Sequence, residues 1–261
     1  MRQFLLIAQR AARIAGAIHA RYFRKECRVR QKSASYDLVT CADTQAERAI
    51  VRFIRKHYPL HNFLAEEGTY SVKKSEFTWI IDPLDGTNNF ACGIPLFCVS
   101  IALKKGDEII VSAVYDVTRD ELFWAQKGRG AFLNGKRIHV NGARCLSEAL
   151  LITGFYYDRG KNMIDTLAAI KRFHFKRIIG IRRFGAAALD LCYVASGRAA
   201  GFWEFCLKPW DFAAGKLLVE EAGGIITGKH AEEIPLTEQS FIIASNAAIH
   251  PAMVKVINER R

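Results

Sequence analysis

Trp79-Ile80-Ile81-Asp82-Pro83-Leu84-Asp85-Gly86-Thr87 decides how this chain of 261 residues is read. A hydrophobic, strand-like run delivers two aspartates three residues apart, then a glycine and a hydroxyl where a helix can start. Pro83 fixes the backbone, so the turn can present the Leu84 carbonyl oxygen beside both carboxylates. Carboxylate and carbonyl oxygens suit a hard divalent cation, and free backbone N–H groups at a helix start suit an anion. Asp, Pro and Gly also make ordinary turns, so the rest of the chain must choose between the two readings.

Outward from that turn, Glu66 and Glu67 follow a short predicted strand about fifteen residues earlier. Neighbouring side chains on extended backbone point to opposite faces, so one glutamate faces a site with Asp82 and the other supports it from behind. Far along the chain stands Pro209-Trp210-Asp211-Phe-Ala-Ala-Gly, then Glu220-Glu221-Ala-Gly-Gly. Asp211 reads as the N-cap of an alanine-rich helix, and the small residues beside it let backbone or ligand approach the helix end.

Periodicity supplies the elements around these motifs. Phe4, Ile7, Ala11, Ile14, Ile18 and Tyr22 recur at three- and four-residue spacing over 3–24, an amphipathic helix. Asp43 opens a second, which ends before Pro59. The texture from 96 to 124 is β, with apolar runs at 99–103, 109–115 and 121–124, and Asn134-Gly135 signals a hairpin. The second half alternates: strands at 150–153, 178–183, 201–205 and 241–244, helices at 162–173, 186–196, 212–222 and from about 250. The expected organisation is a mostly antiparallel N-terminal half over 1–145 and an alternating α/β half over 146–261, with a site between them.

Composition excludes several classes. No apolar run approaches the roughly 20 residues that span a bilayer, and the short run Phe4 to Ala8 predicts no export signal. Seven cysteines without a Cys-x-x-Cys pair read as reduced thiols in a cytoplasm. The net charge of +12 draws anions of any kind, with basic clusters around 21–32 and 171–183. No aromatic-interleaved RNA motif or zinc finger accompanies it, so a solvated basic surface is the preferred reading.

Together these residues resemble the inositol monophosphatase family of Mg²⁺-dependent, lithium-sensitive phosphomonoesterases. Two signatures carry the resemblance: Trp79-Ile-Ile-Asp-Pro-Leu-Asp-Gly-Thr-Asn-Asn-Phe, and Trp210-Asp-Phe-Ala-Ala-Gly through Gly223-Gly224. Asp37-Leu-Val-Thr-Cys-Ala-Asp43, Ala65-Glu-Glu-Gly, Lys127-Gly-Arg-Gly-Ala-Phe-Leu-Asn-Gly and Gly185-Ala-Ala-Ala-Leu-Asp occur in family order, so the match spans about residues 4 to 258.

The resemblance implies a layered α-β-α-β-α sandwich of the sugar-phosphatase type, commonly a homodimer, with two to three Mg²⁺ per site. It implies that Glu66, Asp82 and the Leu84 carbonyl hold a first ion, and that Asp82, Asp85 and Asp211 hold a second. A third, weaker ion would lie near Glu66 and Glu67. Thr87, hydrogen-bonded to Asp43, would orient an attacking water, and the Gly86 and Thr87 N–H groups would bind phosphate. Glu204, Gly185, Ala186 and Ala187 would face the alcohol. Where animal members carry serines, this chain has Thr153-Gly-Phe-Tyr-Tyr-Asp158, which bears on the substrate, and Lys208 is a candidate for a second anionic group.

The implied reaction is Mg²⁺-dependent hydrolysis of inositol monophosphate. Fructose 1,6-bisphosphate, histidinol phosphate and 3′-phosphoadenosine 5′-phosphate are the alternatives within the family. A regulator that binds RNA or protein while keeping the phosphatase fold is the alternative from another class.

Overall fold

The computed structural model describes residues 1–24, 29–31, 38–155 and 160–259. Helices α1 (Arg2–Tyr22) and α2 (Cys41–His57) form one outer layer, and strands β1 (Val29–Gln31) and β2 (Leu38–Thr40) pair antiparallel between them in sequence. Alanines at 8, 11, 12 and 15 on α1, all fully buried, let it lie close to what it covers.

A seven-stranded sheet lies beneath these helices. Its strands follow chain order: β3 (Asn62–Ala65), β4 (Phe77–Asp85), β5 (Cys98–Lys105), β6 (Glu108–Asp116), β7 (Glu121–Gln126), β8 (Gly130–Leu133) and β9 (Lys136–Ile138). β3 runs parallel to β4, and each later pair is antiparallel. Asn134 and Gly135 turn the last hairpin with φ of 47° and 80°, as the Asn-Gly signal predicts. The short helix α3 (Thr87–Ala91) follows β4 directly.

A five-stranded sheet comes from the second half, with β10 (Leu150–Thr153), β11 (Gly180–Arg182), β12 (Gly201–Leu207), β13 (Gly224–Thr227) and β14 (Ser240–Asn246) in the order β11-β10-β12-β14-β13. β10 pairs parallel with β11 and β12, while β14 is antiparallel to β12 and β13. Helices α4 (Lys161–Phe175), α5 (Ala187–Ala195), α6 (Pro209–Glu221) and α7 (His250–Asn258) complete the chain.

Side-chain alternation explains the layering. On β4, Trp79 and Ile81 pack under α1 and α2 with Val99, Ile101 and Val111. Ile80 points the other way and joins Ala102, Val114 and Phe123 against α5 and α6. That middle helical layer is shared, because Phe202, Ile242 and Ala244 of the second sheet pack into the same cluster. The second sheet's outer face, Leu151, Trp203 and Ile243, is covered by Phe173 of α4 and Met253 and Val256 of α7. The order is therefore helix, sheet, helix, sheet, helix, and both faces of each sheet are buried.

The structure corrects several expectations. α2 begins at Cys41, so Asp43 lies inside its first turn rather than opening it. α6 begins at Pro209, whose missing N–H costs nothing in a first turn, so Lys208 is the N-cap and Asp211 is the third helical residue. β1, β2 and β13 are too short to leave a periodic signal. Cys41 is disulfide-bonded, against the expectation of seven free thiols, because sequence spacing does not report the Cα distances that permit a bridge. Among the described residues, no helix is long and apolar enough to cross a membrane.

Candidate active site

Because β3 and β4 are parallel, their C-terminal ends lie side by side. Glu66 leaves β3 with its N–H donating to the Ile81 carbonyl at 3.3 Å, which sets it next to Asp82 on β4. The β4–β5 register slips between Asp82, paired with Ser100, and Asp85, paired with Cys98. Pro83 falls inside this irregularity, where a residue without an N–H is tolerated. The carboxylate of Asp82 closes the turn by accepting the Leu84 N–H at 2.9 Å.

Asp85 is tethered across the chain. Its Oδ2 accepts the Ala188 N–H of the first turn of α5 at 2.7 Å, and the Cys98 thiol lies 3.7 Å from the same oxygen. The N–H groups of Ala187 and Gly86 also bond to this carboxyl. Gly86 then turns the chain with φ of 90°, and a Cβ there would stand 2.8 Å from the Leu96 carbonyl. Only glycine meets both demands.

Thr87 follows, with its hydroxyl oxygen 2.9 Å from Asp43 Oδ1 and 2.9 Å from the Leu84 carbonyl. Asp43 is fully buried. Asp211 arrives from the second half of the chain, where its Oδ2 accepts the Lys208 N–H at 2.7 Å and closes the first turn of α6. The Ser100 hydroxyl reaches the Trp210 carbonyl at 3.3 Å, tying that turn to the strand opposite Asp82.

These groups line one cleft of about 270 Å³: Glu66, Asp82, Leu84, Asp85, Gly86 and Thr87 on one side, and Gly185, Ala187, Glu204 and Asp211 on the other. Ala186 is buried just behind it. Glu67 is not among the described lining residues; its N–H donates to Glu47 Oε2 at 2.8 Å. Sequence reasoning did not single out Asn88, Gly154, Leu207 or Arg183 as lining residues, and Arg183 had counted only as one of a basic run. Its position two residues before Gly185 is the signal that could have placed it. Tyr156, Tyr157 and Asp158 lie outside the described residues, whereas Phe155 lines the cleft.

Burial and crowding of like charges dominate the electrostatics. Burial first, and then Glu66, Asp85 and Asp211, hold the Asp82 carboxyl well above its ordinary range. Burial, Glu66 and Asp85 do the same to Asp211. Burial pushes Asp85 up to about 6, against the N–H groups of Ala188 and Ala187, which favour its charge. Burial raises Glu204 to about 8, opposed by the Arg183 guanidinium. Glu204 lies flat on Gly154, where a Cβ would stand within 1.9 Å of its carboxyl oxygen.

A set of carboxylates plus one carbonyl, all hard oxygen donors, suits Mg²⁺ rather than a softer ion. Among the described residues, no three acidic, histidine or cysteine side chains are already gathered as a finished cage. Asp82 and Glu66 share a side-chain hydrogen bond while Asp85 and Asp211 add like charge, and a cation between them would relieve that repulsion.

The inositol monophosphatase family model matches residues 1–261. The chain belongs to this family. It is 44% identical over 266 residues to the Nus factor SuhB of Pseudomonas aeruginosa, covering 98% of this chain and 96% of that protein. Among solved structures, the extragenic suppressor protein SuhB of Bartonella henselae superposes with a TM-score of 0.94 at 37% identity, covering 99% of this chain and 100% of that one. An inositol monophosphatase from Anabaena superposes with a TM-score of 0.87 at 39% identity, over 98% of this chain and 95% of that one. The layered sandwich is thus that of the inositol monophosphatases, and the cleft lies where the Asp82–Thr87 turn meets the first turn of α6.

Proposed function

We propose that this chain is a Mg²⁺-dependent phosphomonoesterase that hydrolyses inositol monophosphate to inositol and phosphate by direct attack of an activated water. One observation carries the reading: Glu66, Asp82, Asp85 and Asp211, from three separate parts of the chain, face one cleft, where Glu66 and Asp85 raise the proton affinity of both Asp82 and Asp211. Folding carboxylates into such repulsion costs stability, and a site for divalent cations accounts for that cost.

Glu66, Asp82 and the Leu84 carbonyl are assigned to a first ion, and Asp82, Asp85 and Asp211 to a second. Glu67 is assigned to a third, weaker site beside Glu66. Bound Mg²⁺ supplies an acidified water and neutralises charge on the phosphate and the leaving oxygen. The Thr87 hydroxyl has one proton and two acceptors at 2.9 Å. Donating it to Asp43 leaves the Thr87 oxygen to accept from the attacking water and orient it in line with the phosphorus. Backbone N–H groups at Gly86 and Thr87 are assigned to the phosphate, which would share the Gly86 N–H with the Asp85 carboxyl. On the alcohol side, Glu204 carries its proton at neutral pH and can both donate to and accept from a ring hydroxyl, beside Gly185, Ala186 and Ala187.

Phosphate release tests this reading. Inositol 1-phosphate, fructose 1,6-bisphosphate, histidinol phosphate and 3′-phosphoadenosine 5′-phosphate are compared with and without Mg²⁺ and Li⁺. Mg²⁺-dependent, Li⁺-inhibited turnover of inositol 1-phosphate is expected. Much slower turnover of inositol 1-phosphate than of another member of the panel would overturn the substrate assignment, and no Mg²⁺-dependent turnover at all would overturn the reaction.

A second reading has its own support. The Pseudomonas aeruginosa relative bears the name Nus factor, and the net charge of this chain is +12. We infer an additional role in a nucleic-acid or transcription-factor assembly, compatible with a homodimeric enzyme in the cytoplasm. Gel-shift binding to RNA across a salt series tests it: affinity that persists near physiological salt supports the role, and weak binding that vanishes there leaves only a basic surface.

A further inference from the structure

The outer layer formed by α1 and α2 exposes charge of one sign. The only acidic residues on these helices are Asp43 and Glu47, and both are buried. Arg10 and Arg21 on α1, and Arg48, Arg52 and Lys56 on α2, are exposed. Among the described residues none of the five has an ion-pair partner, whereas Arg13 pairs with Asp120 at 3.2 Å. The rings of Phe4 and Tyr58 are 5.0 Å apart, and the Tyr22 hydroxyl donates to Gln45 at 3.1 Å, so the two helices run antiparallel, side by side. Both turn these cations away from the sheet that their apolar faces cover. Arg48, Arg52 and Lys56 follow one another at four-residue intervals, where like charges destabilise a helix. At the same spacing α4 and α6 set opposite charges, Lys161 with Asp165 and Lys216 with Glu220. The basic run at 171–183 is partly engaged within the fold. Arg172 donates to the Val256 and Ile257 carbonyls at 2.8 and 3.0 Å, and Lys176 pairs with Glu259. None of the five cations on α1 and α2 lines the cleft.

Unpaired cations held at repulsive spacing suit a polyanion, whose phosphates would take the place of the missing carboxylates. Four of the five are arginines, whose planar forks match phosphate oxygens. Shape narrows the partner. Each helix is about 10 Å across with its side chains, so the pair is about 20 Å wide and cannot enter a B-DNA major groove about 12 Å wide. The wide, shallow minor groove of an RNA duplex accepts a broad surface, with phosphate contacts across it. No Phe, Tyr or Trp on either helix is exposed, so the face has no platform on which single-stranded bases would stack. A membrane surface fits less well, because the apolar faces that would enter lipid are packed on the sheet. We propose that the outward face of α1 and α2 docks the backbone of double-helical RNA without reading its sequence. The proposal rests on the nucleic-acid role inferred above and gives that role a surface and a form of RNA.

Fluorescence anisotropy with a short labelled RNA duplex, from about 50 to 200 mM salt, tests the surface. The wild type should bind this duplex more tightly than the same sequence as duplex DNA or as single-stranded RNA. Replacing Arg48, Arg52 and Lys56 together by glutamine should weaken binding about tenfold or more near physiological salt and flatten the salt slope by about 3. Arg10→Gln with Arg21→Gln should weaken it on the neighbouring row. Glutamine keeps the helix propensity, so melting temperatures should not fall. Replacing Lys171, Arg177 and Arg182 by glutamine removes the same charge elsewhere and should change affinity by no more than about twofold. Intact affinity in the α2 variant, equal loss in both triple variants, or a preference for duplex DNA, single-stranded RNA or phosphatidylserine vesicles overturns this surface alone. Absence of any RNA binding by the wild type near physiological salt overturns the surface and the nucleic-acid role together.

Discussion

Asp85 concentrates what this site asks of a single residue. Its carboxylate is held by N–H groups from Ala188, Ala187 and Gly86, so its position comes from backbone and survives loss of its charge. Asp85→Asn should therefore leave the melting temperature nearly unchanged while lowering Mg²⁺-dependent kcat/KM by about a thousandfold or more. Retained Mg²⁺-dependent activity in that variant would refute the two-ion assignment. His19 shows the opposite economy, burial without a charge. It is fully buried against Phe90 and Phe97, with the backbone of Pro83 beside its ring. Burial drives its pKa down to about 3, with the backbone of Pro83 only partly opposing. The folded state thus keeps His19 neutral, while the unfolded chain takes a proton below about 6.5. The stability this gives is present above pH 6.5 and is lost as pH falls toward 3. Between pH 7 and 5 the loss should be about 2 kcal/mol, measured by urea unfolding. His19→Leu should lose less over that interval by that amount, and an identical pH slope would show that His19 does not carry the effect.

At the scale of elements, the site depends on how closely α5 approaches α6. Gly215 sits in that contact, and a Cβ on it would stand 2.5 Å from Leu191 Cβ and Cδ1. Alanine would gain about 1 kcal/mol of helix propensity, but crowding a buried contact costs roughly 1–3 kcal/mol, so packing should prevail. Gly215→Ala should lower the melting temperature by a few degrees. It should lower kcat/KM at 25 °C as well, because α6 carries Asp211 and α5 carries the N–H that holds Asp85. An unchanged melting temperature would mean that the two helices part at no cost. Sequence alone reached the long elements: α1, α2 and the meander from β5 to β7 have apolar periods long enough to read. It reached the Asp82–Thr87 turn because proline, glycine and two aspartates are local constraints. It misplaced Asp211 by a turn position, since an N-cap and a third helical residue that accepts the N-cap N–H look alike in sequence. Arg183 escaped as a lining residue because only the fold across Gly185 turns one arginine of a basic run into the cleft. Three-residue strands such as β1 leave no period to find.

For the whole molecule, the basic exterior and the acidic cleft oppose each other, and the five layers force carboxylates from both halves into one space. Asp82, Asp85 and Asp211 all bind protons more tightly when folded than when unfolded. The sign follows from linkage. Their stabilising contribution in the metal-free protein is full below the ordinary carboxylate range, near pH 4, and declines as pH rises, through about 6 for Asp85. Divalent cations bind the ionised form and reverse this trend. Mg²⁺ should therefore raise the melting temperature little at pH 5 and by several degrees at pH 8. A stabilisation of about 2.7 kcal/mol is expected where free Mg²⁺ exceeds its dissociation constant about a hundredfold. His19 adds a pH dependence of its own, but it is the same with and without Mg²⁺, so the difference between paired scans isolates the cleft. Asp82→Asn should be the more stable protein at pH 8 without metal, because it removes a repelled charge, and the less responsive one when Mg²⁺ is added. If calorimetry finds the Mg²⁺ shift independent of pH, or undiminished in Asp82→Asn, the carboxylates of this cleft are not where the ions bind.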